Sequence, residues 1–247
     1  MVVLKTSKEL SEMRLACQIS AQALALAGEL IRPGVSTAHV NKLVHEFIVS
    51  KGAKPTFLGY GGFPAACCIS VNEQVIHGIP SDRIIEDGDI VSVDVGAAIH
   101  GYTGDNAATF AAGNVSAEAR KLMDVTEACL YKAIEAAQPG HRLGDVGYAV
   151  QSYAQSQGFA VVRDYVGHGV GRKLHEEPEV PNYGTPGRGL RLLPGMTLAI
   201  EPMINVLGSA VKTQKDGSVI TASGCLSAHF EHTIAITSDG PVILTKA

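Results

Sequence analysis

Tryptophan is absent from this sequence, aromatic residues make up only 5% of it, and charged residues 18% against the ~25% usual for soluble domains. With 46% apolar residues, so low a charge content excludes a disordered tail or a coiled coil. No basic excess is present either: 20 Lys and Arg face 24 Asp and Glu, a net charge of -4, so no strong field draws in nucleic acid or an anionic membrane. The first residues, MVVLKTSKELSEMRL, have no basic-then-apolar signal layout, and no run of ~18 uncharged apolar residues lies near them. A cytoplasmic location is therefore expected. Cysteine is sparse. Cys17, Cys67, Cys68, Cys129 and Cys225 are an odd number without a CxxC spacing, which argues against a disulfide framework or a thiolate zinc site and for reduced thiols.

What is abundant is glycine: 27 Gly and 11 Pro point to many tight turns between well-covered strands. At about 150 residues per domain, 247 residues allow one large domain or two fused halves. Thr6 and Glu9 form a capping-box pattern that opens a helix running to Ile31, and a second helix starts at Ser36-Thr37 and stops at Gly52. Strands are expected at 66–71, 90–95 and 107–111, then a long helix from Ser116 to about Gln138. The chain then repeats itself. Pro33/Pro139, Gly34/Gly140, Val40/Val146, Val44/Val150, Phe47/Tyr153 and Gly52/Gly158 each differ by 106, while GDIVSVD and GMTLAIE align at 107 and set Asp94 equivalent to Glu201. The reading is a single α+β domain over 1–247, built of two pseudo-twofold-related halves, 7–112 and 113–240. These share one sheet backed by helices.

The strands carry acid where a core should not. In IVSVDVG, Val91, Val93 and Val95 point one way while Ile90, Ser92 and Asp94 point the other, on a strand that reads as covered on both faces. Asp105 lies at the start of the next strand, Glu201 in LAIEPMI, and Glu231 opens EHTIAIT, with no Lys or Arg in the same strands to neutralise them. An unpaired buried carboxylate costs several kcal/mol. One or two of these acids could cap turns or pair with Arg163, Arg172 or Arg188. All four together are better matched by two divalent cations, with His168 adding a nitrogen ligand. Oxygen ligands with one imidazole suit Mn, Fe(II), Co or Zn.

The segments NEQVIHGIP, IVSVDVG, GDNAATF, GHGVGRKLHEEP, PGMTLAIEPMI and AHFEHT, in that order over nearly the whole chain, closely resemble the type I methionine aminopeptidases. The resemblance implies the pita-bread fold, with a curved antiparallel sheet. It further implies that Asp94, Asp105, His168, Glu201 and Glu231 bind two metal ions, with Asp105 and Glu231 bridging. The implied activity is removal of the N-terminal methionine from nascent chains when the second residue is small. Glu201 would move the proton from the attacking water to the leaving amine, His175 would hydrogen-bond the scissile carbonyl oxygen, and His77 would contact the peptide nitrogen. Tyr60, Phe63, Cys68 and Leu174 would line the methionine pocket, Cys67 facing away. Transient ribosome contact and a monomeric state are expected, with neither membrane nor specific nucleic acid as partner.

Two departures stand out. Many such enzymes carry Trp after the Asp-Gly that is here Asp216-Gly217, where this chain has Ser218, so one pocket wall is expected to differ. They usually carry an amide where this chain has His229. The absence of a Cys-rich leader fits the short, bacterial-like form. Rival readings are a proline-specific aminopeptidase or prolidase, which usually carries a large extra N-terminal domain, and a non-catalytic scaffold, which should have lost ligands. His39, His45, His100 and His141 sit in helix or turn contexts and are read as structural.

Overall fold

A computed structural model describes residues 1–246. Four helices carry most of the convex surface: α1 (Ser7–Leu30), α2 (Thr37–Ser50), α3 (Ala117–Ala136) and α4 (Leu143–Ser156). At α1 the capping box forms as the sequence requires, Glu9 N–H donating to the Thr6 hydroxyl and Thr6 N–H to the Glu9 carboxylate. The starts of α2 and α4 lie 106 residues apart, and the helices have equal length.

Nine strands make one antiparallel sheet: β1 (Lys54–Pro55), β2 (Cys67–Val71), β3 (Ile90–Ile99), β4 (Tyr102–Ala111), β5 (Gly167–Gly169), β6 (Glu176–Val180), β7 (Thr197–Ile200), β8 (Glu231–Thr237) and β9 (Gly240–Ile243). The order is β1-β3-β4-β8-β7-β5-β6, with β2 also paired to β3 and β9 to β8. Two three-stranded ribbons flank it, one joining Ala160–Val161, Met203–Asn205 and Ser227–His229, the other Gln74–Ile76, Val211–Thr213 and Val219–Thr221.

β3 and β4 are longer than the sequence suggests. The expected strands 90–95 and 107–111 extend to Ile99 and back to Tyr102, because His100 (φ 54°) and Gly101 (φ 79°) close a two-residue hairpin with both residues left-handed. Asp105 consequently sits inside β4 rather than at its start.

The two sides of β3 divide as its alternation demands. Val91, Val93, Val95 and Ala97 join Val40, Val44 and Ile48 of α2 and Ala23, Leu24 and Ala27 of α1 in one apolar cluster. A second cluster packs Leu122, Leu130 and Ile134 of α3 and Val146 and Val150 of α4 against Leu198, Ile200, Ile234 and Ile236. Each fully buried Ile or Leu contributes about 1.5–3 kcal/mol. The helices thus take one face of the sheet and leave the other for Asp94 and its neighbours. Close approach of α1 depends on Gly104, where a Cβ would collide with the backbone of Cys17.

Candidate metal centre and substrate cavity

Strand register brings the acids together. Cys68 pairs with Asp94, Asp94 with Ala107, and Ala107 with Glu231, so these four side chains form one row across β2, β3, β4 and β8 on a common face. The central place is held by a methyl group, leaving open space between the two carboxylates. In the adjacent row Asp105 faces Gly96, and its backbone is fastened to β8 by Thr233, whose hydroxyl accepts from Asp105 N–H and donates to Asp105 C=O. From the other side, Ile200 pairs with His232 and His168 with Ala199, which carries Glu201 and His168 to the same centre. Asn182 donates to the Glu201 carbonyl at 2.9 Å and fixes the chain where it leaves β7.

The tightest group is Asp105, His168 and Glu231, one ligand atom of each lying within 4.8 Å of the others. Glu201 joins through His168, its Oε1 being 3.3 Å from Nε2, while Asp105 Oδ2 is 3.7 Å from that nitrogen. His168 Nδ1 lies 2.9 Å from the carbonyl of Gly169, which can only accept, so the proton is on Nδ1 and the Nε2 lone pair is turned to the carboxylates. Asp94 borders the same cavity as these groups.

Burial dominates the electrostatics. It pushes the Asp94 carboxyl up to about 7. Burial, and then the neighbouring carboxylates, raise Asp105, Glu201 and Glu231 well above the usual range. Burial lowers His168 to about 4, with His175 adding to the effect. Asp94 Oδ1, Asp105 Oδ1 and Glu231 Oε1 are buried with no hydrogen-bond partner among the described residues. Acceptor-only oxygens left so, around an imidazole with its lone pair presented, fit divalent cations by donor type and by charge.

These groups border a cavity of about 330 Å³, near the lower end of the ~300–1,000 Å³ usual for small-ligand sites. Its apolar part is Phe57, Cys68 and Leu174 with Phe63 packed on them. Cys67 instead lies in the core beneath α1 and α2. Tyr60 also lines the cavity, but its hydroxyl lies 2.6 Å from His175 Nδ1, so it touches a histidine as well as bounding space. The His175 ring stands edge-on to His168 at 4.2 Å. His77, with left-handed backbone (φ 58°), sets its ring against Tyr165 at 5.8 Å.

Sequence reasoning missed Phe57, Ile76 and Pro64 among the lining residues. Phe57 and Pro64 flank the glycine-rich LGYGGF segment, a usable signal; nothing local marks Ile76. The wall expected at Ser218 is made by Asp216 and Gly217 instead: Ser218 is buried and donates from both its N–H and its hydroxyl to Asp216 Oδ1. His229 is buried with Nε2 unpartnered, 3.9 Å from Glu201 Oε2. Of the four histidines read as structural, His100 meets Glu12 at 2.9 Å and His141 the carbonyl of Ala136 at 3.0 Å.

Residues 11–238 match the family described as Metallopeptidase family M24. A methionine aminopeptidase of Clostridium perfringens is 51% identical over 246 residues, 99% of each chain, and methionine aminopeptidase 1 of Bacillus subtilis is 49% identical over 247 residues, the full length of both. The crystal structure of a methionine aminopeptidase from Thermotoga maritima superposes with a TM-score of 0.98 at 48% identity, covering all of both chains.

Proposed function

Since the chain belongs to metallopeptidase family M24, we propose that its cavity holds the N-terminal methionine of a peptide while the bond to the second residue is hydrolysed. The chain is a methionine aminopeptidase with the pita-bread fold of its relatives. The single observation that carries the site is the row Cys68, Asp94, Ala107 and Glu231, which sets apolar pocket and carboxylates side by side on one face.

In this reading Asp94, Asp105, His168, Glu201 and Glu231 would hold two divalent cations, whose contribution when bound is to acidify water and polarise the scissile carbonyl. Mn, Fe(II), Co and Zn all fit the donor set. Asp105 and Glu231, on the two central strands, would be within reach of both cations. Phe57, Phe63, Cys68 and Leu174 accept the unbranched thioether, and Tyr60 closes the mouth. Glu201 moves the proton from water to the departing amine. A phenol donating to Nδ1 of His175 leaves the ring proton on Nε2, free to donate to the carbonyl oxygen as charge develops there. His77, across the cavity, contacts the peptide nitrogen. Substrates are nascent polypeptides in the cytoplasm. The chain works as a monomer, and at a net charge of -4 its contact with the ribosome is transient.

A peptide panel tests this. Protein loaded with Mn²⁺ or Co²⁺ should release methionine from Met-Ala and Met-Gly peptides, stop on chelation, and spare Met-Lys and Met-Phe peptides. Equal cleavage of Leu-Ala or Ala-Ala peptides would refute the methionine pocket, and full activity in chelator would refute the metal centre.

A further inference from the structure

His175 stands on the turn that links β5 to β6, at the edge of the sheet, yet the reaction requires its ring to be held to a fraction of an ångström. Among the described residues of the cavity, its ring has one hydrogen bond, to the Tyr60 hydroxyl, and an edge-on contact with the His168 ring. The next residue, Glu176, makes a separate set of bonds. Glu176 Oε1 accepts from the backbone N–H of Arg172 at 2.8 Å and of Lys173 at 3.2 Å, closing the turn on itself. Oε2 meets Lys5 Nζ at 2.5 Å, with the two side chains only 4% and 11% exposed.

Lys5 is itself fastened. Its backbone N–H donates to Gly195 C=O at 2.7 Å, Gly195 N–H donates to Ile236 C=O in β8, and Nζ also reaches the carbonyl of Val3. The turn and the lysine fit closely: a Cβ on Gly171 would stand 2.6 Å from Lys5 Cε and 2.8 Å from Glu176 Oε1. A continuous line of bonds therefore runs from the central strand β8 through Gly195 and Lys5 to the Glu176 carboxylate, and so to the backbone of His175. A buried ion pair adds little net stability over apolar side chains of the same volume, but three donors in fixed directions around one carboxylate define a geometry.

We propose that Glu176, clamped by Lys5, is the positioning residue that holds His175 in register with the reacting carbonyl. Neither residue touches substrate or the reacting atoms. The proposal rests on the assignment of His175 as the carbonyl donor.

The test is a mutant cycle. Lys5→Met, Lys5→Arg and Glu176→Gln are each made alone and combined with His175→Ala, with kcat and KM measured on a Met-Ala peptide in the Mn²⁺-loaded enzyme. Mn²⁺ affinity is measured by calorimetry. Misplacement of a catalytic group by about 1 Å costs on the order of a hundredfold. Lys5→Met and Glu176→Gln should therefore lower kcat by roughly ten- to a hundredfold at unchanged Mn²⁺ affinity. Lys5→Arg should restore most of it, and neither loss should persist in the His175→Ala background. Losses of equal size with and without His175, unchanged kcat in Glu176→Gln, or a parallel fall in Mn²⁺ affinity would overturn the proposal while leaving the role of His175 intact. Full activity of His175→Ala would overturn both. Should Lys5→Met fail to fold, Glu176→Gln carries the test, because its carbonyl oxygen can still accept from Arg172 and Lys173.

Discussion

Stripping metal from this protein and raising the pH from 7 to 8 should lower its melting temperature, against the common expectation that acidic proteins gain stability above their carboxylate range. The sign follows from the buried cluster. Burial pushes Asp94 up to about 7, and burial first with mutual repulsion second raises Asp105, Glu201 and Glu231 well above the usual carboxylate range. The folded metal-free state keeps protons that the unfolded chain has released near pH 4, so stability falls as the pH rises through the folded values. The histidines act oppositely, since burial holds His168 and His232 near 4 and His229 near 3 and also lowers His77 and His175. Their contribution grows as the pH rises towards the unfolded value of about 6.5 and is largely complete by pH 7, while Cys17, Cys67, Cys68 and Cys129, whose thiols burial raises, add to the fall driven by the carboxyls as the unfolded thiols begin to ionise towards pH 8. Each proton held only by the folded state makes stability fall by about 1.4 kcal/mol per pH unit. For a chain of this length 1 kcal/mol is roughly 2–4 °C, so one retained proton gives a drop of about 3–6 °C. With saturating Mn²⁺ the cluster is ionised throughout and the slope should shrink to the small part left by the buried thiols. Calorimetric melts in chelator and in Mn²⁺ at pH 7, 7.5 and 8 measure this. A metal-free melting temperature that is flat or rising over that range would refute the account of the cluster.

Asp94→Asn should cut turnover by more than about a hundredfold, beyond the 10–100-fold typical of groups that only support a ligand, and lower bound Mn²⁺ by elemental analysis. It should at the same time raise the metal-free melting temperature at pH 8, because a buried carboxyl that titrates at about 7 no longer has to ionise there. Gly96→Ala points a methyl at Thr56 Oγ1 and the Phe57 ring, beside Asp105, and should cost about 1–3 kcal/mol in urea unfolding together with Mn²⁺ affinity. Thr6→Ala removes the acceptor for Glu9 N–H at the start of α1 and should cost about 1 kcal/mol, read in the same unfolding assay.

How much of this was legible in the sequence depends on the range over which each interaction acts. The α1 cap is written in residues three apart, and the parity of β3 in a seven-residue string. The four acids were conspicuous because nothing within their own strands neutralises them. The lengths of β3 and β4 were not legible, because a left-handed histidine at position 100 has no strong local signature, whereas the glycine after it does. Nor were the contacts that join distant segments: Tyr60 to His175 across 115 residues, and Lys5 to Glu176 across 171. A lysine ahead of a helix reads as solvated, and only the placement of Gly195 and Gly171 around it makes it a buried partner. The orientation of Ser218 was not legible for the same reason, being decided by an Asp216 carboxylate that folds back on the turn.

The repeat accounts for the centre but not for its function. Asp94 and Glu201 occupy equivalent places in the two halves, and Asp105 and Glu231 lie on β4 and β8, the strands that join the halves. A His-Gly pair precedes the carboxylate strand in each half, His77-Gly78 and His168-Gly169, 91 residues apart because the second half carries an insertion, and the two are placed differently. His168 lies in β5, with extended neighbours, its Nδ1 tied to a carbonyl and its Nε2 at the carboxylates. His77 has a left-handed backbone, and its ring, in the lining of the cavity, packs on Tyr165. One half therefore places an imidazole at the carboxylate cluster, while the other sets its imidazole, in the lining of the cavity, against Tyr165. Because only one of the two imidazoles joins the carboxylates, the cavity beside them stays open, and Phe57, Cys68, Leu174 and His175 border it.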